Sequence, residues 1–234
     1  MTSPPTVPGL SGPLTIFAAA SLSESFTDLR ENLKASNRAL SLTYSFAGSG
    51  ALVAQVSQGA PADVIATADT ASMKKLSDAS LVEAPVTFAR NKMEILVAPG
   101  NPRGIRGLAD LARSDIKFVS EDETVPAGKY SAQALRRARV TVSPVSREVD
   151  VKSTVAKVVS GEADATIAYA SDVKAAGTKA QGVEIPGLYN IVAEYPIAVV
   201  KATGNHRAAT AFVEAVVGTR GQGALRAYGF MAGS

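Results

Sequence analysis

The chain of 234 residues has no cysteine, no tryptophan and a single histidine, His206. The lack of cysteine excludes disulfide frameworks, cysteine nucleophiles and zinc sites built on thiolates. One histidine cannot supply a metal site that needs two. His206 also follows Gly204 and Asn205 at a predicted helix start, which is a typical exposed position. We therefore expect no cofactor, no catalytic centre and no direct coordination of a metal ion.

Long hydrophobic runs and strong charge are missing as well. No apolar segment of the sequence approaches the ~20 residues of a membrane span. Lys and Arg number 24 and Asp and Glu 21, so the formal net charge is +3. The one tight basic cluster is Arg136, Arg137 and Arg139, in a predicted helix, and we interpret it as a solvated face. Because nucleic-acid-binding proteins concentrate basic residues into a stripe, no nucleic-acid partner is expected.

Residues 1–13 differ in composition from the rest of the chain. They contain four prolines, two glycines and two serines but no charged residue. This composition predicts a flexible leader rather than folded structure. Such a leader suits a secreted protein that has been separated from its export signal or lipid anchor. We expect a periplasmic or extracytoplasmic location, with a lipid anchor in the precursor.

Strand-like and helix-like segments alternate along the rest of the chain. The first strand is Leu14–Ala19, and Leu22, Phe26, Leu29 and Leu33 follow it at helical spacing. Further strands are predicted at Leu42–Phe46, Asp63–Thr67, Glu94–Ala98, Ile116–Val119, Val140–Val145, Ala165–Tyr169 and Ile197–Val200.

The remaining helices are predicted from their apolar spacing. They are Ala51–Gln58, Thr70–Ser77, Ala127–Ala138, a helix with Val151, Val155, Val158 and Val159 on one face, Asn205–Val217 and Gln222–Tyr228. This alternation predicts an α/β fold with mostly parallel sheets and helices on both faces.

Five strand-to-helix junctions place small or hydroxyl residues where the helix begins. The first helical turn leaves backbone N–H groups without intrahelical partners, so small residues there can make an anion site. For any single junction, ordinary helix capping is the favoured explanation, so the anion site depends on the whole set. The junctions are Ala20-Ser21, Gly48-Ser49-Gly50, Pro126-Ala127-Gly128, Asp150-Val151 and Tyr169-Ala170-Ser171.

A set of short motifs, in order from about residue 14 to 230, resembles the periplasmic molybdate-binding proteins of ABC transporters. Each motif alone is weak, but their common order and spacing are specific. The motifs are Phe17-Ala18-Ala19-Ala20-Ser21-Leu22, Phe46-Ala47-Gly48-Ser49-Gly50, Gly59-Ala60-Pro61-Ala62-Asp63-Val64 with Ala68-Asp69, Val125-Pro126-Ala127-Gly128-Lys129-Tyr130, Tyr169-Ala170-Ser171-Asp172, Glu194-Tyr195-Pro196-Ile197-Ala198-Val199 and Tyr228-Gly229-Phe230.

The resemblance implies a two-lobed class II periplasmic-binding-protein fold, with each lobe a mostly parallel sheet flanked by helices and a ligand cleft between the lobes. Lobe 1 would combine residues 14–90 with 197–234, and lobe 2 would be residues 91–196. The family holds a dehydrated tetrahedral oxyanion with neutral donors. Many relatives have a second serine where this chain has Gly48. The donors implied here are Ser21 and Ser49 from lobe 1 and Ala127, Val151 and Tyr169 from lobe 2.

The implied function is a binding protein, not an enzyme. It would capture molybdate and tungstate and deliver them, as a monomer, to the membrane permease of an ABC importer. The alternative within binding proteins is a receptor for sulfate or another small tetrahedral oxyanion. A ligand-sensing domain of a transcription regulator would need a DNA-binding segment for which the 13-residue leader has no room, and a hydrolase using Ser49 would lack a base.

Two lysines and two aspartates in or beside these motifs are further candidates for a functional role. Lys129 and Lys152 each follow a proposed donor, and helical direction favours a solvated position over a role in steering anions. Asp63 and Asp69 bracket a predicted strand. We expect them to cap a turn and the following helix rather than to perform acid–base chemistry.

Overall fold

The computed structural model describes residues 9–233. Its strands are β1 (Gly12–Ala19), β2 (Leu40–Ala47), β3 (Val64–Ala66), β4 (Val86–Val97), β5 (Val119–Glu121), β6 (Ser146–Glu148), β7 (Ala165–Tyr169), β8 (Gln181–Glu184), β9 (Val192–Val199) and β10 (Met231–Ala232). Its α-helices are α1 (Ser23–Ser36), α2 (Ser49–Ser57), α3 (Thr70–Asp78), α4 (Pro126–Arg137), α5 (Val151–Val159), α6 (Ala170–Ala176), α7 (His206–Val217) and α8 (Thr219–Ala227).

The chain divides into two compact units. Unit 1 combines the chain up to Arg90 with the chain from Glu194 onward, and unit 2 is Asn91–Ala193. Strands β4 and β9 each have residues in both units. None of the helices within residues 9–233 is long and apolar enough to cross a membrane.

The end of the predicted leader is folded structure, which corrects its boundary. Leu10 is buried, and β1 begins at Gly12 rather than at Leu14. Gly12 adopts a positive φ of 82° and its N–H donates to the carbonyl of Ala39, so the chain turns directly into the sheet. Residues 1–8 of the predicted leader lie outside the described residues.

The sheet of unit 1 has the strand order β2-β1-β3-β9-β4-β10. β1 pairs in parallel with β2 and with β3, and the register places Ala19 opposite Ala47. β3 with β9 and β4 with β10 pair antiparallel. The carboxyl ends of β1 and β2 therefore lie side by side at one edge of the sheet.

Helices pack apolar side chains on the sheet of unit 1. One core joins the β-strand residues Phe17 and Ile65 to Leu52 of α2 and Leu76 of α3. An aromatic group centred on Phe26 of α1 forms another part of the core. Its ring lies about 6 Å from those of Tyr44, Phe88 and Phe212, in tilted or edge-on geometry that aromatic pairs favour.

In unit 2, the last residues of β4 form the middle of a three-stranded arrangement. β7 and β8 pair with β4, both antiparallel. β5 and β6 pair in parallel, with Glu121 opposite Glu148, and an isolated parallel bridge joins Phe118, just before β5, to Ala165, the first residue of β7. The carboxyl ends of β5, β6 and β7 consequently share one edge.

The α/β class predicted from the sequence is confirmed, whereas the prediction of mostly parallel sheets is wrong in detail. β1 pairs in parallel with β2 and β3, and β5 with β6, whereas β3 with β9 and β4 with β7, β8 and β10 are antiparallel. Strand and helix do alternate in sequence, but β4 pairs with strands far away along the chain, and local alternation does not fix the direction of such pairs.

Two local predictions are also wrong. The strand expected at Val140–Val145 is absent, and the ladder begins at Ser146 instead, because Pro144 has no N–H to donate to a neighbouring strand. In α5 the buried face consists of Val151, Thr154 and Val158, and Val159 is exposed.

Candidate functional site

Ser21 lies in a short 3₁₀ turn, Ala20–Leu22, between β1 and α1. The residue is 4% exposed. Its Oγ lies 3.0 Å from the hydroxyl oxygen of Tyr195, a buried residue of β9. Ser21 therefore sits two residues beyond the end of a central strand, with its hydroxyl held by a second hydroxyl of the same unit.

Ser49 is the first residue of α2, two residues beyond the end of β2. It is 1% exposed, and its Oγ accepts a hydrogen bond of 3.0 Å from the N–H of Ala68. Because an N–H cannot accept, the proton of the Ser49 hydroxyl stays available for another acceptor. Gly48 precedes the helix as its N-cap with no side-chain cap, and its carbonyl accepts from Ala51 and Leu52.

Ala127 is the second residue of α4, which follows β5. Pro126 occupies the first position, where a missing N–H costs nothing. The first N–H bonded inside the helix is that of Lys129, which donates to Val125, so the N–H of Ala127 precedes the helical ladder. The backbone of Asp122 lies close to the start of α4, because a Cβ on Gly128 would be 2.1 Å from the carbonyl oxygen of Asp122.

Val151 is the first residue of α5 and follows β6. The N-cap residue Asp150 accepts from the N–H of Ser153 at 2.9 Å and from its hydroxyl at 3.0 Å. The cap therefore satisfies the N–H of Ser153 and leaves that of Val151 at the open end of the helix. Val151 itself is 4% exposed.

Tyr169 is the last residue of β7 and the N-cap of α6, and it is 1% exposed. In the first turn of α6, the buried carboxylate of Asp172 forms an ion pair of 2.9 Å with Lys152 of α5. Lys152 is thus tied to a buried partner, and the prediction of a purely solvated position is wrong for it.

Each unit therefore gathers its own predicted donors at one sheet edge. In unit 1 Ser21 and Ser49 follow adjacent parallel strands whose last residues are register partners. In unit 2 Ala127, Val151 and Tyr169 lie at or beyond the carboxyl ends of β5, β6 and β7. This edge is where open α/β sheets bind ligands, and all five residues offer hydroxyl or backbone donors without formal charge.

Comparison with known proteins places the chain in a family. A family model described as bacterial extracellular solute-binding protein matches residues 14–231. The chain belongs to this family of solute-binding proteins.

Relatives of this solute-binding protein include the "Molybdate-binding protein ModA" of Mycobacterium tuberculosis, which is 39% identical over 93% of the chain and 84% of the relative. A solved "substrate binding domain of putative molybdenum ABC transporter from Clostridium difficile" is 28% identical, with a TM-score of 0.71 over 95% of the chain and 99% of that structure. "The sulfate-binding protein SubI" of M. tuberculosis, at 21% identity and a TM-score of 0.82 over 94% of the chain and 87% of its own length, shows the same fold.

Family membership also bears on the class of protein. Members of this family bind solutes and are not enzymes, as predicted. Asp69, Asp63 and His206, the other residues considered for chemistry, fit that conclusion. Asp69 caps α3 by accepting from the N–H of Ser72 at 2.6 Å, and Asp63 accepts from the N–H of Thr15 and the hydroxyl of Thr203. His206 is an exposed first residue of α7 beside Glu83.

Sequence reasoning missed a buried acid in unit 2 of this solute-binding protein. Glu121, the last residue of β5, is 0% exposed, and its Oε1 accepts from the hydroxyl of Thr154 at 2.8 Å. Burial, reinforced by the charges of Asp172 and Asp150, raises the pKa of the Glu121 carboxyl to about 8. The only signal in the sequence is that Glu121 lies two residues beyond the strand predicted at Ile116–Val119.

Tyr195 was also missed as an individual residue. It belongs to one of the motifs that carry the resemblance, but its contact with Ser21 joins residues 174 positions apart. No local pattern predicts such a contact, because it depends on the pairing of β9 with β3.

Proposed function

We propose that this solute-binding protein captures molybdate, and tungstate as well, outside the cytoplasm and delivers it to the permease of an ABC importer. The observation that carries the proposal is the 39% identity, over 93% of the chain, to a protein named for binding molybdate. The proposed donors are Ser21 and Ser49 in unit 1 and Ala127, Val151 and Tyr169 in unit 2. A monomeric state and a lipid anchor on the precursor remain predictions.

The chemistry of the donors supports an oxyanion as the ligand. The two serines can each offer a hydroxyl and an N–H, Ala127 and Val151 an N–H each, and Tyr169 a hydroxyl. Hydrogen bonds to a charged group contribute about 1.5–3 kcal/mol each, so seven would exceed ~10 kcal/mol before the costs of desolvation and ordering. A Kd of ~1 nM corresponds to about 12 kcal/mol, which only a nearly complete donor set could approach.

A set made only of donors also selects for a fully deprotonated ion. A protonated oxyanion would bring a buried O–H with no acceptor, which costs binding energy. Molybdate, tungstate and sulfate are fully deprotonated near neutral pH, whereas phosphate keeps a proton. The proposal therefore places phosphate last among these ions and leaves sulfate to be distinguished by its smaller size.

Isothermal titration calorimetry of the ligand-free protein with molybdate, tungstate, sulfate and phosphate tests the function. We expect molybdate to bind with a micromolar or lower Kd and to raise the melting temperature. Lack of such binding would overturn the proposal, and tighter binding of sulfate than of molybdate would replace it with the alternative ligand.

Three variants test the residues. Ser21→Ala, Ser49→Ala and Tyr169→Phe should each weaken molybdate binding by about 1–3 kcal/mol, because each removes a donor to a charged ligand. Ser57→Ala is the matched control, since Ser57 is an exposed serine at the other end of α2. Normal binding by all three variants would show that the donors are assigned to the wrong residues.

A further inference from the structure

The two serine hydroxyls of unit 1 are held by different kinds of partner. Ser49 Oγ accepts from the backbone N–H of Ala68, and this direction is fixed because an N–H can only donate. Ser21 Oγ faces the hydroxyl of Tyr195 at 3.0 Å, where either oxygen can be the donor. The role of Ser21 therefore depends on which way this hydroxyl pair is oriented.

Counting protons decides the orientation when an oxyanion is bound. Each hydroxyl has one proton, and a fully deprotonated oxyanion can only accept. If Ser21 donates its hydroxyl proton to the ion, the Tyr195 hydroxyl must donate to Ser21 Oγ. We propose, building on the proposed function, that Tyr195 is a positioning residue whose O–H, donated to Ser21 Oγ, fixes the Ser21 hydroxyl as a donor to the oxyanion.

The packing of Tyr195 suits this role. The residue is 0% exposed, and its ring meets those of Phe88 and Phe230 edge-on, with centroids 6.4 Å and 5.3 Å away. These contacts hold the ring, and hence the hydroxyl, in place before a ligand arrives, so little ordering cost remains at binding. Tyr195 would thus do for Ser21 what the fixed N–H of Ala68 does for Ser49.

The arrangement has a consequence for specificity. With Tyr195 donating, Ser21 Oγ already accepts one hydrogen bond and turns its own proton toward the ligand. Without that hydrogen bond, the Ser21 hydroxyl can rotate and accept a proton from a protonated oxyanion. Tyr195 should therefore contribute both to the affinity for molybdate and to the rejection of phosphate.

The test compares Tyr195→Phe, which keeps the ring contacts, with the unchanged protein. We expect a Kd for molybdate that is about 3- to 10-fold higher, the range expected for one net hydrogen bond. The affinity for phosphate should fall less, so that the ratio of the two affinities decreases. In the background of Ser21→Ala, adding Tyr195→Phe should have almost no further effect on molybdate binding, because the residue acts through Ser21.

Tyr44→Phe is the matched control. The Tyr44 hydroxyl is buried in the same unit and has no hydrogen-bond partner among residues 9–233, and its ring is retained by the substitution. It should leave both affinities unchanged.

Three results would overturn the role of Tyr195. These are unchanged molybdate affinity in Tyr195→Phe, equal weakening of molybdate and phosphate, or additive effects of the two substitutions. A lower melting temperature of ligand-free Tyr195→Phe with an unchanged affinity ratio would indicate a merely structural residue and would also refute the proposal. Failure of the unchanged protein to bind molybdate would instead refute the proposed function, so the two outcomes are distinguishable.

Discussion

Glu121 should make the stability of unit 2 fall as the pH rises through the neutral range. Its carboxyl is 0% exposed, its Oε1 contacts the Thr154 hydroxyl, and no hydrogen-bond partner for its Oε2 lies within the described residues. The Thr154 hydroxyl also lies 2.9 Å from the carbonyl of Val151, and one proton cannot serve both acceptors. An ionised Glu121 therefore receives only part of the hydrogen bond from Thr154, and burial favours the protonated acid.

The magnitude follows from the pKa. Burial raises the pKa of Glu121 from 4.5 to about 8, so the folded protein retains a proton that the unfolded chain has lost between these values. The free energy of unfolding then decreases with pH by about 1.4 kcal/mol per pH unit in that window. The contribution is fully favourable below about pH 4.5, and its loss is complete above about pH 8. Between pH 5 and pH 8 the expected loss is about 3–4 kcal/mol.

Urea unfolding followed by circular dichroism at pH 5, 6, 7 and 8 measures this effect in the unchanged protein and in Glu121→Gln. The glutamine keeps the shape of the protonated acid but cannot ionise. Its free energy of unfolding relative to the unchanged protein should therefore increase with pH by about 3–4 kcal/mol across the range. Where the two units unfold in separate transitions, only that of unit 2 should respond.

The control for this measurement is Glu123→Gln, which neutralises an exposed carboxylate two residues further along. Its pH profile should run parallel to that of the unchanged protein. A parallel profile for Glu121→Gln as well would refute the reasoning, because it would mean that Glu121 is ionised in the folded protein throughout this range.

Two further predictions concern packing. Gly128→Ala should weaken molybdate binding more than about tenfold and lower the melting temperature, because the new Cβ would lie 2.1 Å from the carbonyl oxygen of Asp122 at the start of α4. The control Gly223→Ala in α8, whose Cβ would meet nothing within 4 Å, should be neutral or slightly stabilising. Equal effects of the two substitutions in calorimetry and thermal unfolding would contradict this prediction. Phe26→Ala should lower the free energy of unfolding, measured in urea, by about 3–5 kcal/mol, since it leaves a cavity at the centre of the aromatic group of unit 1. A loss below about 1 kcal/mol would contradict this, because it would mean that neighbouring side chains fill the cavity.

The elements with strong local patterns could be predicted from the sequence. The apolar spacing of Leu22, Phe26, Leu29 and Leu33 predicted a buried helix face, and all four side chains are buried. The cap of α3 by Asp69 was predicted in the same way. Such features are set by neighbours within a few residues, which a single sequence displays directly.

Features that depend on distant pairing could not be predicted. The antiparallel partners of β4 are β7, β8 and β10, and the short strands β8 and β10 carry no apolar alternation of their own. The Val140–Val145 segment has the composition of a strand, but the ladder with β5 begins only at Ser146, after Pro144. The assignment of donors needed the resemblance, because the residue types at each junction are equally typical of ordinary caps.

The proposed donor Val151 lies close to three acidic residues. The charges of Asp150 and Asp172 both act on the Glu121 carboxyl, and three ionised carboxylates near the start of α5 would repel an oxyanion. The charge of each acid is offset in a different way. Asp172 forms an ion pair with Lys152, and Asp150 accepts hydrogen bonds from Ser153. Glu121 is mostly protonated at neutral pH because burial raises its pKa. The potential at the start of α5 then depends more on the N–H groups of the first helical turn than on side-chain charge. The proposed donors of this unit therefore depend on that balance of pairing, capping and protonation.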